Sequence, residues 1–436
     1  MDTFFELSRS RGLIGDDAQT QLARLRKSKL LDFVQEASFA LPSSGHAENQ
    51  NFGFLANTSL SGGSYPCGES HCRLQRADRL ATLAALYADH VVIRNPFTSY
   101  YATSDLDSLR HRLAGDMAVL SRLEPLINSR IVSVTPPAIA MCRSCSRQFE
   151  RERQRLTTAI DKAGDEILSR YGHRISVRRD IKTGSFAIRG PEEIVVHGSR
   201  FLRPGKRSDL SGRLTSKRRM LALRHLIQPA LSDVYLHHIH SRHSRFNYLT
   251  DHELDLTVIR AVGGPAIEPI QQAIARGLAH SLPVLTNIDV PSLLRLRESE
   301  GEAFAVYRNR LSEVLRTVDL SSASAIQDAF ASHIQPELDR MDLAAANARK
   351  LVKRSAANQV GVASAAVSIG LLVGTVEPAI GAVIAALGGA QGLGSLAQRT
   401  LDLLQEPPVV RDNSFYFLWK LRRQNRRPRV EMKVRD

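Results

Sequence analysis

The chain has 436 residues, of which 43% are hydrophobic and 24% are charged, the balance typical of a soluble globular protein. This length is too great for one hydrophobic core, so we expect two or three domains. Four cysteines are too few for a disulfide scaffold, and the first residues lack the pattern of a signal peptide. The sequence therefore predicts a protein of the reducing cytoplasm.

The net charge is strongly positive, because 59 Lys and Arg face 44 Asp and Glu, a formal charge of +15. Such a surplus favours nucleic acid, an acidic protein or anionic lipid as a partner, although a basic surface also serves solubility. The cations concentrate in residues 200–220 and 420–436. The candidate nucleic-acid or anion-binding residues are Arg203, Lys206, Arg207, Lys217, Arg218, Arg219, Arg422, Arg423, Arg426 and Arg427.

The first third of the chain has the pattern of alternating helices and strands. Apolar residues at helical spacing predict an amphipathic helix over 16–41, followed by a loop with a short strand. Residues 73–96 then predict a helix and a strand, and 104–129 predict a helix that Ser104 caps. The apolar stretch "RIVSVTPP" predicts a further strand. This order indicates a βαβ unit with a small parallel sheet.

The remaining chain is predicted to be mainly helical. A charged helix is expected from Arg147 to Tyr171, and three alternating runs in 175–198 predict a small antiparallel sheet. From about residue 214 the pattern is helical nearly to the end.

The stretch 360–390 is rich in Ala and Gly and is interrupted by Glu377-Pro378, which predicts a helical hairpin. Each arm is near or below the roughly 20 residues that a membrane-spanning helix needs. Gly370, Val373 and Gly374 include a GxxxG spacing, which allows close helix contact. A hairpin buried in a helical bundle and a hairpin inserted in a membrane both remain open.

The cysteines form two close pairs, "CGESHC" with Cys67 and Cys72, and "CRSC" with Cys142 and Cys145. Both pairs are expected in loops. Two such pairs suit tetrahedral zinc, since each pair spans the metal through a short turn and four thiolates close its shell. The predicted cofactor is therefore structural zinc, which holds the ends of the βαβ unit together. The alternative is four independent free cysteines.

A catalytic zinc site is a further alternative. His46, Glu48, Cys67 and Cys72 resemble the deaminase pattern H-x-E…P-C-x(2–4)-C. Only 17 residues separate its halves, which leaves little room for the helix and strand expected there.

Histidines and carboxylates cluster between residues 233 and 255. His240 and His243, like Asp233 and His237, share a helical face if the segment is a helix. No metal-ligand motif is present, which favours a polar surface. Acidic residues at strand ends, such as Asp89, are the basis of a magnesium-dependent nuclease hypothesis. The full cluster is Asp233, His237, His238, His240, His243, Asp251, His252, Glu253 and Asp255.

Several stretches resemble a group of uncharacterised bacterial proteins with paired-cysteine motifs. These stretches are "SLSGG", "LYADHVVIRNP", "CRSC", residues 282–315 and "FYFLWKL". The resemblance implies a bacterial cytoplasmic protein and carries no assigned activity.

The sequence thus predicts an α+β fold, predominantly helical, with an N-terminal α/β module that holds a zinc site of four cysteines. The predicted role is a non-enzymatic binding or accessory one, in which basic surface contacts nucleic acid or an acidic partner. The alternatives are a membrane-disrupting effector of toxin or antiviral type that uses the 360–390 hairpin, and a metal-dependent nuclease or deaminase-like hydrolase.

The predicted domains are an N-terminal helix and loop (1–60), an α/β module with the cysteines and the antiparallel sheet (61–205), a helical domain (206–345), an Ala/Gly-rich hairpin (346–405) and an aromatic and basic tail (406–436).

Overall fold

The computed structural model divides the chain into two compact units, residues 1–279 and 280–436. We refer to them as unit 1 and unit 2. The residues that the structure describes are 3–14, 18–43, 52–63, 68–102, 105–137, 142–179, 186–190, 200–202, 223–224, 227–228, 230–235, 246–250, 253–262, 290–316, 328–357 and 406–425.

Unit 1 combines helices with two small sheets. Its helices are α1 (Phe4–Ser10), α2 (Ala18–Arg24), α3 (Lys27–Ala40), α4 (Ser70–Tyr87), α5 (Leu106–Asn128), α6 (Arg143–Tyr171) and α7 (Glu253–Val262), with short 3₁₀ helices at Pro96–Ala102 and Gly172–Arg174. Its strands are β1 (Gly53–Ala56), β2 (His90–Ile93), β3 (Val132–Val134), β4 (Ser176–Arg179), β5 (Phe186–Arg189), β6 (Arg200–Leu202) and β7 (Asn247–Leu249).

The larger sheet is parallel, with the strand order β3-β2-β1-β7. Phe54 of β1 pairs with Val91 of β2 on one side and with Asn247 of β7 on the other. β1, β2 and β3 are almost entirely buried, which fits the short apolar runs of their sequences. The chain adds β2 and β3 on one side of β1 and returns to the other side with β7. In open parallel sheets, ligands bind at such a switch point, outside the carboxyl ends of the strands.

Helix packing supports the sheet and its carboxyl edge. α4 packs against α5, and both bury an apolar face that includes Leu80 and Tyr87 of α4 and Leu113 of α5. A second core lies between α6 and α7, where Ile160 and Ile167 meet Val258 and Tyr248. Tyr248 belongs to β7, so this second core also fixes the strand that completes the switch point.

Unit 2 is helical in the residues that the structure describes. Both α9 (Gly301–Arg316) and α10 (Gln335–Ala357) pack against α12 (Tyr416–Asn425), around the buried rings of Tyr307, Phe417 and Trp419. None of the described helices of either unit is long and apolar enough to cross a membrane. The helices of unit 2 are α8 (Val290–Ser299), α9 (Gly301–Arg316), α10 (Gln335–Ala357), α11 (Pro408–Arg411) and α12 (Tyr416–Asn425), with a π-helical turn at Phe330–Ile334.

The predominantly helical α+β class is confirmed, as is the small parallel sheet. The antiparallel sheet is present as β4-β5-β6, with its third strand just beyond the predicted stretch. Two details were wrong. The helix predicted over 16–41 is interrupted at residues 25 and 26, where Arg26 takes an extended conformation and begins α3. The helical pattern after residue 214 is interrupted by β7, which pairs with β1.

Helix starts also differ from the prediction. α5 is capped by the Asp105 side chain, which accepts the amide of Ser108, rather than by Ser104. Cys142 caps α6, so this helix begins four residues earlier than Arg147. The predicted hairpin at 360–390 lies outside the described residues, and the five predicted domain ranges stay predictions.

Candidate functional site

A pocket lies at the carboxyl edge of the parallel sheet in unit 1. Its cavity volume is about 90 Å³, enough for several water molecules or a group of phosphate size. The loop after β1, the end of β2 and the facing side of α5 form its walls. Its polar lining consists of Thr58, Ser61, Arg73, Arg94, Arg112 and Asp116, and Ile93, Val119 and Leu120 supply apolar wall.

The loop after β1 has the sequence "NTSLSGG" and folds onto itself. The Asn57 side chain accepts the Leu60 amide at 2.7 Å, and the Thr58 carbonyl accepts the Gly63 amide at 2.8 Å. Gly62 has a φ of +79°, a conformation that other residues rarely adopt. A Cβ at Gly63 would lie 2.1 Å from the Thr58 methyl group. The two glycines are therefore required for this turn to close.

Two buried arginines of α4 hold the loop in place. The Arg73 Nε donates to the Gly62 carbonyl at 2.8 Å, and an Arg76 Nη donates to the Gly63 carbonyl at 2.6 Å. These residues are three positions apart and so share one helix face. Arg73 also forms a buried ion pair with Asp116 of α5, whose other oxygen accepts the Tyr100 hydroxyl at 2.5 Å. Both arginines thus serve the scaffold of the pocket.

Arg94 lies directly after β2 and, unlike Arg73 and Arg76, takes no part in the contacts that hold the β1 loop. Its guanidinium makes no hydrogen bond and no ion pair with the part of the chain that the structure describes. Burial lowers its pKa, and the nearby Arg112 acts in the same direction, whereas Asp233 and Asp116 oppose the shift. Arg112 lies over the Tyr100 ring at 4.5 Å and approaches Asp116 at 3.7 Å. A partly desolvated guanidinium in a pocket is stabilised by an anion that accepts its hydrogen bonds.

A polar network joins β1 to β7 beside the pocket. The Asn57 side chain donates to the Thr250 hydroxyl at 2.7 Å and to the Asp255 carboxylate. Asp233, in the helical segment 230–235, accepts the Thr58 amide at 2.9 Å and the Thr58 hydroxyl. Because these partners lie far apart in the sequence, they fix the β1 loop to the element that returns the chain to the sheet.

The three cysteines that the structure describes lie at helix starts rather than in the expected loops. Cys142 caps α6, and its sulfur accepts the Cys145 amide at 3.4 Å. That interaction lowers the pKa of the Cys142 thiol, and the neighbouring Cys142 sulfur raises the pKa of Cys145. Both are exposed, and Cys72 lies in the first turn of α4. Cys67 lies outside the described residues. In the described part of the chain, no three His, Cys, Asp or Glu side chains come together as a metal site.

The predicted basic residues are described only at α12. Arg422 is buried and pairs with Asp339 and Asp342, and Arg423 lies over the Trp419 ring at 5.3 Å. The guanidinium of Arg422 is therefore already bound to protein carboxylates. The other candidates, in 203–219 and at 426 and 427, lie outside the described residues, as do Gly370, Val373 and Gly374.

The other sequence candidates do not assemble a centre in the described structure. Asp89 lies just before β2, at the amino edge of the sheet, and its amide donates to the Phe52 carbonyl at 3.0 Å. His46 and Glu48 of the deaminase pattern lie outside the described residues, and so do Asp251 and the histidines of the 233–255 cluster. Asp233 and Asp255 are described, and both are buried in the network that holds the β1 loop.

Comparison with protein-family models, curated proteins and solved structures gives no significant match. The pocket was not foreseen from the sequence. A signal was present, because Arg94 and Asn95 directly follow the buried strand "HVVI", and polar residues at that point of a parallel strand face the ligand edge. Arg73, Arg76 and Asp116 gave no comparable signal, since charged residues on helices usually face solvent.

Proposed function

We propose that this protein is a binding or accessory protein that recognises phosphate-bearing ligands, nucleic acid in particular, through the pocket at the carboxyl edge of unit 1. The observation that carries the proposal is Arg94, a partly buried guanidinium in the pocket that makes no ion pair within 4 Å with the described residues and that Asp233 and Asp116 influence only at longer range. Guanidinium groups bind phosphate oxygens in a bidentate manner, and a low-polarity surrounding strengthens that interaction.

Three further observations support a phosphate ligand. The pocket lies beside the switch point of a parallel sheet, where ligands of such sheets bind. The Ser61 hydroxyl lines it and is able to donate to a phosphate oxygen. The net charge of +15 favours a polyanion over a single small carboxylate.

We also propose that the paired cysteines bind structural zinc in a cytoplasmic protein. The close approach of Cys142 and Cys145 and their exposure support two ligands of such a site. Cys72 lies in the first turn of α4 and Cys142 caps α6, and each helix follows a strand of the same parallel sheet in the chain. Zinc bound there would hold these helix starts together. The membrane alternative and the deaminase pattern depend on residues outside the described structure, and no observation favours them or the nuclease alternative.

The test is binding of a fluorescent oligonucleotide, measured by anisotropy over a series of salt concentrations. We expect Arg94→Gln to weaken binding by about tenfold or more, since a charge-assisted hydrogen bond contributes roughly 1.5–3 kcal/mol. The slope of log affinity against log salt should fall by about 0.7–0.9 for one lost phosphate contact. The matched control is Arg24→Gln, which removes the same charge from an exposed position on α2. Equal affinities of the two variants would contradict the proposal.

A further inference from the structure

We infer that the pocket takes a terminal phosphomonoester, the phosphorylated end of an oligonucleotide, rather than an internal phosphodiester of the strand. This inference rests on the proposed function, because it assigns the kind of phosphate that the same pocket binds. It is carried by the charge of the lining, by the walls of the cavity and by the donors that remain available in it.

The charge of the lining matches a dianion better than a monoanion. Three guanidinium groups, of Arg73, Arg94 and Arg112, and one carboxylate, of Asp116, line the cavity. The lining side chains therefore carry two net positive charges, and Asp233, which lies outside the lining but interacts with Thr58 and Arg94, offsets part of this charge. A phosphomonoester carries a charge of about −1.5 to −2 at pH 7, because its second pKa is about 6. An internal diester carries a single negative charge at any pH near neutrality.

The shape of the cavity favours the end of a chain. The β1 loop, the Ile93–Pro96 segment, α4 and α5 line it, and its volume of about 90 Å³ holds one phosphate-sized group. An internal phosphate has a sugar on each side, so it needs a groove that is open at both ends. A terminal phosphate needs one opening, through which the rest of the ligand leaves.

The available donors fit a group with three free oxygens. The Arg94 guanidinium is able to donate two N–H groups to a phosphate, and among the described residues the Ser61 hydroxyl has a single, long contact of 3.4 Å, to the Thr58 carbonyl. The Thr58 hydroxyl and amide both donate to Asp233, so they supply no donor to the ligand. A monoester has three terminal oxygens to accept from Arg94 and Ser61, whereas a diester has two.

The experiment compares oligonucleotides of one sequence that carry a 5′-phosphate, a 3′-phosphate or hydroxyl groups at both ends. We expect at least one phosphorylated form to bind about tenfold more tightly than the hydroxyl form, the ratio that one added strong contact gives. This advantage should disappear in Arg94→Gln, persist in Arg24→Gln and be reduced in Arg94→Lys, which keeps the charge but not the planar fork. It should also decline as the pH falls through about 6, where the monoester loses its second charge.

The outcomes separate the inference from the proposed function. If all three oligonucleotides bind equally and Arg94→Gln weakens each of them, an internal phosphate occupies the pocket, so the inference is wrong and the proposed function stands. If Arg94→Gln leaves the affinity for all three oligonucleotides unchanged, both the inference and the proposed function are wrong. Unchanged circular dichroism and urea midpoint of Arg94→Gln establish that it is folded, and Ser61→Ala gives a second variant with the same expected direction.

A competition arm identifies the source of the phosphate. A nucleoside 5′-monophosphate and inorganic phosphate are added to the complex with the phosphorylated oligonucleotide. Displacement by the mononucleotide at concentrations near the oligonucleotide Kd supports the monoester chemistry and assigns it to a small nucleotide. Displacement only by phosphorylated oligonucleotide supports it and assigns it to nucleic acid ends. Equal displacement by the phosphorylated oligonucleotide and by the form with hydroxyl groups at both ends would overturn the inference.

Discussion

The side chains of Arg73 and Asp116 form a buried ion pair between α4 and α5, with only 5% and 9% of their surfaces exposed. The same Arg73 donates to the Gly62 carbonyl, so this pair connects two helices and the loop that forms the pocket. Removing one partner leaves an uncompensated buried charge, which destabilises proteins by about 3–5 kcal/mol. We therefore expect Arg73→Gln to lower the free energy of unfolding of unit 1 by about 3 kcal/mol.

A control for this variant is available on the same two helices. Arg122 of α5 and Asp78 of α4 are 3.9 Å apart with both side chains more than half exposed. Because exposed pairs contribute about 0–1 kcal/mol, Arg122→Gln should change stability little. Far-UV circular dichroism in urea is the measurement, since the sole Trp lies in unit 2. Equal effects of the two variants would show that the buried pair is not a structural centre of unit 1.

Gly115 of α5 provides the space through which Arg73 reaches Asp116. A Cβ at Gly115 would lie 2.2 Å from Arg73 Nη1, and the guanidinium is held in place by the hydrogen bonds of its Nε and Nη2 atoms. In a helix, Gly→Ala alone should stabilise by about 1 kcal/mol. We expect Gly115→Ala instead to destabilise by about 1–3 kcal/mol, the usual effect of overpacking.

A double-mutant cycle decides whether Arg73 is the cause. In an Arg73→Ala background the clash is absent, so Gly115→Ala should become neutral or stabilising in urea unfolding. Gly301→Ala is the control, because an added Cβ at the first residue of α9 has nothing within 4 Å. A Gly115→Ala effect of the same size in both backgrounds would contradict the assignment.

Much of the sheet was predictable from local pattern, and β7 was not. The runs "GFLA", "HVVI" and "VSV" are short and apolar, and each is followed or preceded by a helix with a 3.6-residue period. β7 is only "NYL", within a segment dense in His and polar residues. What makes these residues a strand is their pairing with β1 and the burial of Tyr248, and both depend on distant parts of the chain.

The site was less predictable than the fold for a related reason. Four cysteines are conspicuous in the sequence, whereas one arginine among many is not. Arg73 and Arg76 differ from the exposed arginines only in their burial and in their partners, Gly62, Gly63 and Asp116. Arg94 differs in being partly buried in the lining of the pocket. The start of α6 was predicted too late because its cap is Cys142, and cysteine is not among the residues that usually cap helices.

Stability of unit 1 should depend on pH through His90. Burial lowers the pKa of this side chain, partly opposed by its contact with the Arg130 carbonyl, and its other ring nitrogen lies 2.8 Å from the Ser133 hydroxyl. The unfolded chain therefore binds a proton near the ordinary His pKa of about 6.5, before the folded protein does. Stability should fall as the pH falls below about 6.5, by at most about 1.4 kcal/mol per pH unit for one proton.

The corresponding variant is His90→Gln, which keeps a polar group near Ser133 but does not titrate. We expect it to be less stable than wild type at pH 7.5 and to lose less stability between pH 7.5 and 5.5. Urea unfolding of unit 1, followed by circular dichroism at both pH values, measures the difference. Parallel losses in the two proteins would assign the pH dependence to other groups.

The zinc proposal has a variant that separates metal binding from helix capping. Cys142→Ser removes a thiolate, yet serine is a good cap for α6, so the helix start should be kept. We expect elemental analysis to give about one zinc per wild-type chain, the content of a single four-thiolate site, and little zinc in Cys142→Ser or Cys67→Ser. A wild-type protein that contains no zinc after purification with zinc present would contradict the site, as would a Cys142→Ser protein that retains it.

Asp342 of α10 should be the residue on which the packing of α12 depends most. Its two oxygens accept the Trp419 Nε1 at 2.8 Å and an Arg422 Nη at 2.6 Å, and both donors are buried. Asp342→Ala leaves these donors without this acceptor, so we expect it to destabilise unit 2 by about 2–3 kcal/mol. Trp419 fluorescence in urea reports on this region directly, because Trp419 is the sole Trp.

Asp339→Ala is the control, since Asp339 is 58% exposed, contacts Arg422 at 3.2 Å and should contribute less than about 1 kcal/mol. Equal shifts of the fluorescence midpoint in the two variants would show that the exposed carboxylate holds Arg422 as firmly as the one beside Trp419.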